Sequence, residues 1–474
     1  MTGSLHCDLL VIGAGSGGLS VAAGAAQMGA RVILVEKGRM GGDCLNTGCV
    51  PSKALLAAAR AAHAGEAARP FGIDFAAPTV DFRRVHDHVH AVIAAIAPHD
   101  SVERFESLGV TVLRESARFL DRRRMAAGDH VLRARRIVLA TGSRPRIPPV
   151  PGLDEVPYLT NETIFDLRER PRHLVVIGAG PIGLEMAQAF HRLGSAVTVL
   201  EKVCALPRDD PEIAAIALAA LRGEGLVIRE GVEIAAVAGT AGAIRVAYED
   251  ATGAHSVEGS HLLVATGRAP AIAALDLDAA GIAHDAAGIA VDARLRTSNR
   301  RVYAIGDCRR GLQFTHVAGY EAGIVLRNAL FHLPARADYD AVPRVTYTDP
   351  EIAHVGLDEA AARARFGDRV RIIRQRYDEN DRARAERATT GLLKLVAHGG
   401  RPLGVSIVGA GAGELIQIWA LALARRLRLA DIAGFIAPYP TFGEIGKRAA
   451  GSYFSDRLFS ARTRAIVRFL QRFG

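Results

Sequence analysis

Residues 7–18 of the chain read CDLLVIGAGSGG, an apolar run that passes directly into a G-x-G-x-x-G turn. A stretch of small residues follows, and a second apolar run, RVILV at residues 31–35, ends on Glu36. A strand, a glycine turn, a helix and a second strand ending on an acid about 20 residues later form a dinucleotide-binding βαβ unit. The sequence therefore predicts a nucleotide site around Gly13, Gly15 and Gly18.

The same pattern returns in the middle of the chain. LVVI at residues 174–177 precedes GAGPIG at 178–183, and AVTVL at 196–200 ends on Glu201. One glycine motif alone is weak support for a nucleotide site, whereas two motifs with matching strands, helices and terminal acids are hard to attribute to coincidental turns. A second nucleotide site is therefore predicted at Gly178, Gly180 and Gly183.

One further repeat and one further apolar run indicate how these modules are arranged. ATGSRP at residues 140–145 is echoed by ATGRAP at 265–270, and an apolar run at 302–305 leads into Asp307. We predict an α/β fold with two Rossmann-like dinucleotide-binding domains and a C-terminal α+β domain, with a helical segment over residues 53–108. The first domain covers residues 1–150 and resumes at 271–342, the second covers 151–270, and the C-terminal domain covers 343–474.

Composition excludes several classes of protein. The chain has 474 residues, of which 23% are charged and 49% hydrophobic, as in ordinary globular proteins. A net charge of +9 is too dilute to indicate a nucleic-acid partner. No run reaches the roughly 18 apolar residues of a membrane span, and no basic segment precedes the first apolar run, so no signal peptide is expected. Five cysteines exclude a disulfide scaffold and favour a cytoplasmic location.

The most informative segment is GGDCLNTGCVPSK at residues 41–53, which holds Cys44 and Cys49. Pro51 suits the first turn of a helix, which places Cys49 at or just before a helix start, where backbone N–H groups stabilise a thiolate. The pair is predicted to form a reducible disulfide. Half of a zinc site is one alternative, although no second Cys/His pair at ligand spacing accompanies it, and two unconnected thiols are another.

These motifs together resemble the flavin-dependent pyridine nucleotide–disulfide oxidoreductases, a family that includes dihydrolipoamide dehydrogenase, glutathione reductase and mercuric reductase. The resemblance extends over essentially the whole chain, and residues 41–53 are its most specific part. It implies an enzyme that binds FAD on the first module and NAD(P)H on the second, and that forms a homodimer through residues 343–474. It also implies that electrons pass through FAD to a Cys44–Cys49 disulfide, with Cys49 against the flavin and Cys44 exchanging with an unidentified acceptor.

The resemblance also assigns residues to the two cofactors. The FAD contacts that it implies are Gly13, Gly15, Gly18, Glu36, Gly42, Lys53, Ala117, Thr141, Gly142, Asp307 and Thr315. The nicotinamide-dinucleotide contacts are Gly178, Gly180, Gly183, Glu201 and Gly267. Glu201 predicts a preference for NAD(H) over NADP(H), because a carboxylate binds the ribose 2′-hydroxyl and repels a 2′-phosphate, while Lys202 softens this repulsion. Lys53 is expected to pair with Glu185, either as part of the catalytic machinery or as an ordinary interdomain salt bridge.

The chain departs from the family near its C-terminus. Disulfide reductases carry His-Pro-Thr-x-x-Glu there, and their histidine serves as acid and base for the exchanging thiol of the partner subunit. Here the segment is YPTFGE, with Tyr439 in place of histidine and Glu444 retained. A phenol with an ordinary pKa of about 10 cycles protons poorly near neutrality, so slow turnover of small disulfides is expected.

The sequence therefore does not identify the electron acceptor. GLQFTHVA at residues 311–318 is similar to the mercuric reductase branch, yet no cysteine follows Cys308, whereas that enzyme uses a C-terminal cysteine pair. Dihydrolipoamide dehydrogenase, mercuric reductase and an electron-transfer component docked to a protein or membrane are the alternatives. His316 is expected either near the flavin or as an ordinary packed or solvated histidine.

The last residues predict a basic amphipathic helix. Its apolar face holds Ile466, Phe469, Leu470 and Phe473, its other face holds Arg464, Arg468 and Arg472, and no acid follows Asp456. The simpler expectation is a terminal helix that covers its own domain. The alternative is contact with an anionic membrane or a partner protein.

Overall fold

The computed structural model describes residues 3–473, and its first part builds a mainly parallel sheet. The strands are β1 Gly3–Ile12, β2 Val32–Val35, β3 Thr111–Leu113, β4 Ala117–Phe119, β5 Arg124–Ala127, β6 His130–Leu139 and β7 Ser143–Pro145. The helices are α1 Ser16–Gln27, α2 Gly42–Asn46, α3 Cys49–Ala68, α4 Phe82–Ile96 and α5 Val102–Ser107. The predicted helical segment is thus three helices, α3 to α5, with a break between α3 and α4. The sheet order is β3-β2-β1-β6-β5-β4.

The second module builds a separate parallel sheet. Its strands are β8 His173–Ile177, β9 Ala196–Leu200, β10 Val227–Arg229, β11 Glu233–Thr240, β12 Ala243–Asp250, β13 Gly253–Gly259, β14 His261–Val264 and β15 Arg268–Pro270. Its helices are α6 Pro181–Arg192 and α7 Pro211–Gly223. Strands pair in the order β10-β9-β8-β14, and β11 to β13 form an antiparallel sheet. β15 pairs with β7, so the two echoed phrases of the sequence contact each other.

The chain then returns to the first sheet. The next elements are β16 His284–Asp285, β17 Gly288–Ile289, β18 Val302–Ala304 and α8 Thr315–Ala329. β18 pairs in parallel with β6, beside the end of β6 that carries Leu139. The strand predicted at residues 302–305 therefore extends the first sheet and delivers Asp307 to its carboxyl edge.

Both glycine turns depend on a very close backbone approach. A Cβ atom on Gly18 would lie 1.9 Å from the carbonyl oxygen of Gly13, and one on Gly183 would lie 2.0 Å from that of Gly178. Only glycine permits α1 and α6 to pack this closely on the strands that precede them. This equivalence confirms the predicted α/β class with two glycine-turn modules.

The C-terminal part is an antiparallel sheet covered by helices. Its strands are β19 Arg344–Thr346, β20 Glu351–Gly356, β21 Arg371–Arg376, β22 Leu392–His398 and β23 Arg401–Gly409. Its helices are α9 Glu359–Phe366, α10 Asp381–Ala385, α11 Ala412–Ala424, α12 Leu429–Gly434, α13 Glu444–Ser452, α14 Ser455–Leu458 and α15 Ala461–Leu470. Strands pair in the order β19-β20-β23-β22-β21, and Trp419 of α11 and Tyr377 are buried in the core beneath.

A buried cluster of charges joins this sheet to the second module. Lys394 of β22 has its Nζ atom 2.8 Å from Asp210 Oδ2 and 2.8 Å from Glu359 Oε2. Asp210 also caps the start of α7 by accepting from the backbone N–H of Glu212. Because a buried charge is costly unless it is paired, this cluster fixes α7 against the C-terminal sheet.

Two single segments differ in their burial. Cys7 lies within β1, and its side chain is buried in the core. Helix α15 has no buried residue, and its apolar face is exposed to solvent. The expectation that this helix covers its own domain is wrong, because its apolar face contacts no part of the core.

Candidate functional site

The two cysteines of the 41–53 segment lie on consecutive helices. Cys44 is in the middle of α2, and Cys49 is the first residue of α3, so the expected position at a helix start is confirmed. Gly42 has a left-handed φ of 62°, and a Cβ atom there would lie 2.7 Å from Gly15 Cα. The cysteine segment is therefore pressed against the first glycine turn, which also places it beside the predicted FAD site.

The two thiols have opposite proton affinities. Both are free in the structure, and Cys49 Sγ lies 3.4 Å from Thr315 Oγ1 at the start of α8. A hydrogen bond from Cys44, then one from Thr315 and the charge of Lys53, lower the pKa of Cys49 to about 6, against the opposing effect of burial. The hydrogen bond to Cys49, burial and the negative charge of Cys49 raise the pKa of Cys44. These shifts favour the thiolate on Cys49 and the proton on Cys44.

Lys53 and Glu185 meet as the sequence suggested. Lys53, one helical turn past Cys49 on α3, has its Nζ atom 2.7 Å from Glu185 Oε2. Glu185 is buried on α6 of the second module. The other oxygen of Glu185 accepts from the backbone N–H of Tyr347 at 2.9 Å. Lys53 Nζ also lies 4.1 Å from the centre of the Tyr347 ring. The pair therefore connects all three parts of the fold; its role in catalysis stays a prediction.

The first glycine turn has the features of a nucleotide cradle. Glu36 Oε2 accepts from the backbone N–H of Ala14 at 2.7 Å, at the carboxyl end of β2. No heavy atom lies within 4 Å of a Cβ atom built on Gly142. Among the described residues, the buried hydroxyl oxygen of Thr141 has no hydrogen-bond partner. An open cradle with an unsatisfied hydroxyl fits the FAD that the resemblance places here.

Asp307 lies at the other end of this cradle. Its Oδ2 accepts from Ser143 Oγ at 2.6 Å, and burial raises the pKa of Asp307. Arg268 Nε lies 3.8 Å from the same carboxylate. The structure thus brings Asp307, Thr315 and Cys49 to one edge of the first sheet, where Asp307 is suited to hold hydroxyl groups of FAD. Ala117 is buried in β4, with its side chain in the core beneath that sheet.

The second glycine turn repeats the arrangement of the first. Glu201 Oε2 accepts from the backbone N–H of Ala179 at 2.8 Å, as Glu36 does at the first turn. Built Cβ atoms on Gly180 and Gly267 meet nothing within 4 Å, so the space above the α6 start is open. Lys202, expected to soften the charge of Glu201, instead pairs with Glu233 at 2.7 Å.

Three residues around the cysteines were not predicted. Asp43 Oδ1 accepts from Asn161 Nδ2 at 3.0 Å, and Asp43 Oδ2 lies 3.1 Å from Arg268 Nη2. Asn161 Nδ2 also donates to the carbonyl of Thr47 at 3.1 Å. Asp43 and Arg268 both lie inside motifs already singled out, the cysteine segment and the second ATG phrase. Asn161 carries no sequence signal.

Tyr439 and Glu444 do not contact the cysteines within this chain. The Tyr439 hydroxyl donates to Asp381 Oδ2 at 3.2 Å, and this hydrogen bond raises the pKa of the phenol. The Tyr439 side chain is 68% exposed. Within the part of the chain that the structure describes, the buried Oε2 atom of Glu444 has no hydrogen-bond partner.

His316 is the second residue of α8, and its side chain contacts two neighbouring residues. Its Nε2 atom lies 2.9 Å from the carbonyl oxygen of Pro343, and its ring stacks on Phe314 with 5.2 Å between centroids. Burial lowers the pKa of His316. These contacts favour the packed alternative.

A cavity of about 380 Å³ opens beside Cys44. Such a volume is within the range of small-molecule sites, which are about 300–1,000 Å³. Burial raises the pKa of Asp100, the acidic residue in its wall. The cavity is lined by Ser16, Leu19, Ser20, Ala23, Gly41, Cys44, Leu45, Val50, Ile96, Asp100, Arg104 and Phe105.

Known proteins match the chain over most of its length. Residues 7–322 match the family described as pyridine nucleotide-disulphide oxidoreductase, and residues 342–450 match the dimerisation domain of that family. Mercuric reductase from Lysinibacillus sphaericus is 36% identical over 454 residues, which cover 95% of this chain and 83% of that protein. Mercuric reductase from Streptomyces lividans is 36% identical over 459 residues, which cover 95% and 96%.

Solved structures are also similar. The Cu(II) complex of the HOCl-induced flavoprotein disulfide reductase RclA from Escherichia coli has a TM-score of 0.83 and 27% sequence identity. The similarity covers 93% of this chain and 99% of that one.

The acidity of Cys49 gives a prediction. In the dithiol enzyme, the ultraviolet absorbance of the Cys49 thiolate should titrate with a midpoint of about 6 instead of the ordinary 9.0. Cys44→Ala removes the main stabilising hydrogen bond and should move the midpoint up toward the ordinary value, and Thr315→Val should move it less. Cys7→Ala, a change at a buried core thiol, should leave the midpoint in place. An unmoved midpoint in Cys44→Ala would refute this account of the pair.

Proposed function

The chain belongs to the pyridine nucleotide-disulphide oxidoreductase family, and we propose that its redox-active disulfide is the pair Cys44 and Cys49. It is an oxidoreductase that acts on sulfur groups with NAD(P)H. FAD and NAD(P)H are the typical cofactors of the family, and the matched dimerisation domain supports a homodimer. The proposal also includes the acceptor, the preferred nucleotide, the roles of individual residues and a cytoplasmic location.

The observation that carries the proposal is the position of Cys49, which begins α3 with its Sγ atom 3.4 Å from Thr315 Oγ1. When bound, FAD supplies the transfer of an electron pair from NAD(P)H to the disulfide. The S–S bond breaks, Cys49 leaves as the thiolate that Thr315 and Lys53 stabilise, and Cys44 takes up a proton. Glu185 is proposed to hold Lys53 in place, because it is buried and fixed by the backbone N–H of Tyr347.

Cys44 is proposed as the thiol that meets the acceptor, since the cavity opens on its side. With a small disulfide as acceptor, Cys44 attacks one sulfur and releases the other as a thiol. Cys49 then attacks Cys44, which releases the second thiol and restores the disulfide. Overall, one hydride from NAD(P)H and one proton from solvent reduce one disulfide to two thiols, so atoms and electrons balance.

The surroundings of Tyr439 indicate which acceptors are reduced slowly. A phenol that donates to Asp381 is harder to ionise than a free one, so Tyr439 is poorly suited to protonate a leaving thiolate. We therefore propose slow turnover of dihydrolipoamide-type and glutathione-type disulfides. The related mercuric reductases favour Hg(II) as an alternative acceptor, and the related copper complex favours Cu(II) as another to be screened.

A thiol count tests the proposed pair. The chain has five cysteines, so the air-oxidised holoenzyme should show three free thiols after denaturation and alkylation, and five after anaerobic addition of excess NADH. Cys44→Ser and Cys49→Ser should each show four thiols before and after NADH. Cys204→Ser is the matched control, because it also removes one exposed cysteine yet should still gain two thiols. A wild-type count that does not change with NADH would exclude the proposed disulfide.

A second prediction concerns the nucleotide. Glu201 is fixed at the end of β9 and Lys202 is occupied by Glu233, so the charge at the ribose site is negative. We expect kcat/KM to favour NADH over NADPH, and Glu201→Gln to reduce that ratio at least about tenfold, since a charged hydrogen bond is worth about 1.5–3 kcal/mol. Glu249→Gln, at an exposed position of β12 in the same module, is the control. A wild-type preference for NADPH would contradict the assignment.

A third prediction concerns Tyr439. In a homodimer arranged as the resemblance implies, residue 439 faces Cys44 of the partner subunit. Tyr439→His would give Glu444, whose Oε2 lacks a partner among residues 3–473, an imidazole to orient. Lipoamide reduction should rise at least about tenfold, because a positioned acid/base typically contributes about 10²–10⁴ in rate. Tyr439→Phe should bring no gain, and fast wild-type turnover of lipoamide would show that the phenol already suffices.

A further inference from the structure

The end of the chain extends past the part that matches the family. The match to the dimerisation domain stops at residue 450, whereas the structure continues through α14 and α15 to residue 473. We refer to residues 451–473 as the tail, and its first part is fixed to the body of the protein. Arg371 Nη2 lies 2.6 Å from Asp456 Oδ2, and Arg371 Nη1 donates to the carbonyl of Tyr453 at 2.9 Å. The tail therefore projects from a defined point on the C-terminal sheet.

Helix α15 presents an apolar strip with nothing packed on it. Phe469 is 56% exposed, Leu470 60% and Phe473 75%, and Ile466 lies on the same face. The rings of Phe469 and Phe473 contact edge to face, with 5.1 Å between centroids. Phe459, which precedes the helix, is 69% exposed. Exposed aromatic and aliphatic side chains arranged on one face indicate a surface that something else covers.

The opposite side of the helix is strongly basic. Arg464, Arg468 and Arg472 follow one another at intervals of four residues and form an arginine stripe. The first two lie on α15, and Arg472 lies two residues past its end at Leu470. Between residues 457 and 473 there are five arginines and no aspartate, glutamate or lysine. An apolar strip bordered by a purely cationic stripe is the pattern of a helix that lies in a membrane interface.

We propose that α15 docks the enzyme onto an anionic lipid bilayer, with the apolar strip at the headgroup boundary and the arginines against lipid phosphates. A second copy of this chain is the less favourable occupant. The chain carries a net charge of +9, and pairing two such helices would bring their arginine stripes together. No helix within residues 3–473 has the length and apolar character needed to cross a bilayer, so the contact is peripheral.

Sedimentation of the full-length holoenzyme with vesicles tests this surface. The protein should pellet with vesicles that mix phosphatidylcholine and phosphatidylglycerol, and stay in solution with phosphatidylcholine alone. Added salt should release it, because attraction to anionic lipid is screened. Replacing Phe469 and Phe473 by serine should lower the partition coefficient at least about tenfold, and so should replacing Arg464, Arg468 and Arg472 by glutamine.

Matched controls distinguish vesicle binding through this surface from binding caused by net charge or by nonspecific hydrophobic contact. Changing the exposed arginines Arg118, Arg122 and Arg123 to glutamine removes the same charge from a distant hairpin, and should leave vesicle binding unchanged. NADH oxidation with a dye acceptor should be equal in wild type and in a protein lacking residues 457–474. Failure of the proposed disulfide chemistry would show in the thiol count, and leave both dye reduction and vesicle binding unaffected.

Three results would overturn the proposal. The first is a wild-type protein that stays in solution with anionic vesicles at low salt. The second is a tail variant that pellets as well as the wild type. The third is a shift from dimer to monomer in size-exclusion chromatography when residues 457–474 are removed, which would assign the apolar strip to the partner subunit.

Discussion

The close packing of the cysteine segment against the first glycine turn determines where the chemistry can occur. Gly42 lies so near Gly15 that any side chain at residue 42 would collide with the backbone. The backbone N–H of Gly41 also donates to the carbonyl of Ala14 at 2.9 Å. Because the same turn forms the nucleotide cradle, Cys49 cannot move away from that cradle without breaking the packing. The position of the thiolate is therefore set by backbone contacts, which tolerate little adjustment.

Polar contacts then hold the cysteine segment from the other side. Asp43 is bound at once by Asn161, from the connection between the two modules, and by Arg268 of β15. Arg268 also approaches Asp307, so one guanidinium group serves the cysteine segment and the predicted FAD edge together. Removing one partner from such a network leaves a partly buried charge unpaired, which is costly. Arg268 lies on β15, so the pairing of the two echoed ATG phrases as β7 and β15 places part of this network beside the site.

The sequence predicts some of this architecture and misses the rest for identifiable reasons. Glycine turns are local: steric limits within a few residues determine them, so both nucleotide modules and the helix start at Cys49 could be predicted from spacing. The Lys53 and Glu185 contact could be anticipated only through resemblance to a family. Asn161 could not be found, since an isolated asparagine in a connection carries no periodicity. The exposure of α15 was also missed, because an amphipathic pattern shows that one face is apolar without showing what covers it.

Tyr439 stands where the disulfide reductases of the family carry histidine, and in the proposed mechanism this residue bears on one part of catalysis only. Within this chain Tyr439 donates to Asp381, while the buried Oε2 atom of Glu444 is left without a partner among the residues that the structure describes. The carboxylate that would orient an imidazole is thus retained, but the group that would carry the proton is not. The acidity of Cys49 does not depend on this segment, because Cys44, Thr315 and Lys53 determine it. In the proposed mechanism, delivery of electrons to the disulfide and delivery of a proton to the acceptor are therefore separable, and only the second depends on residue 439.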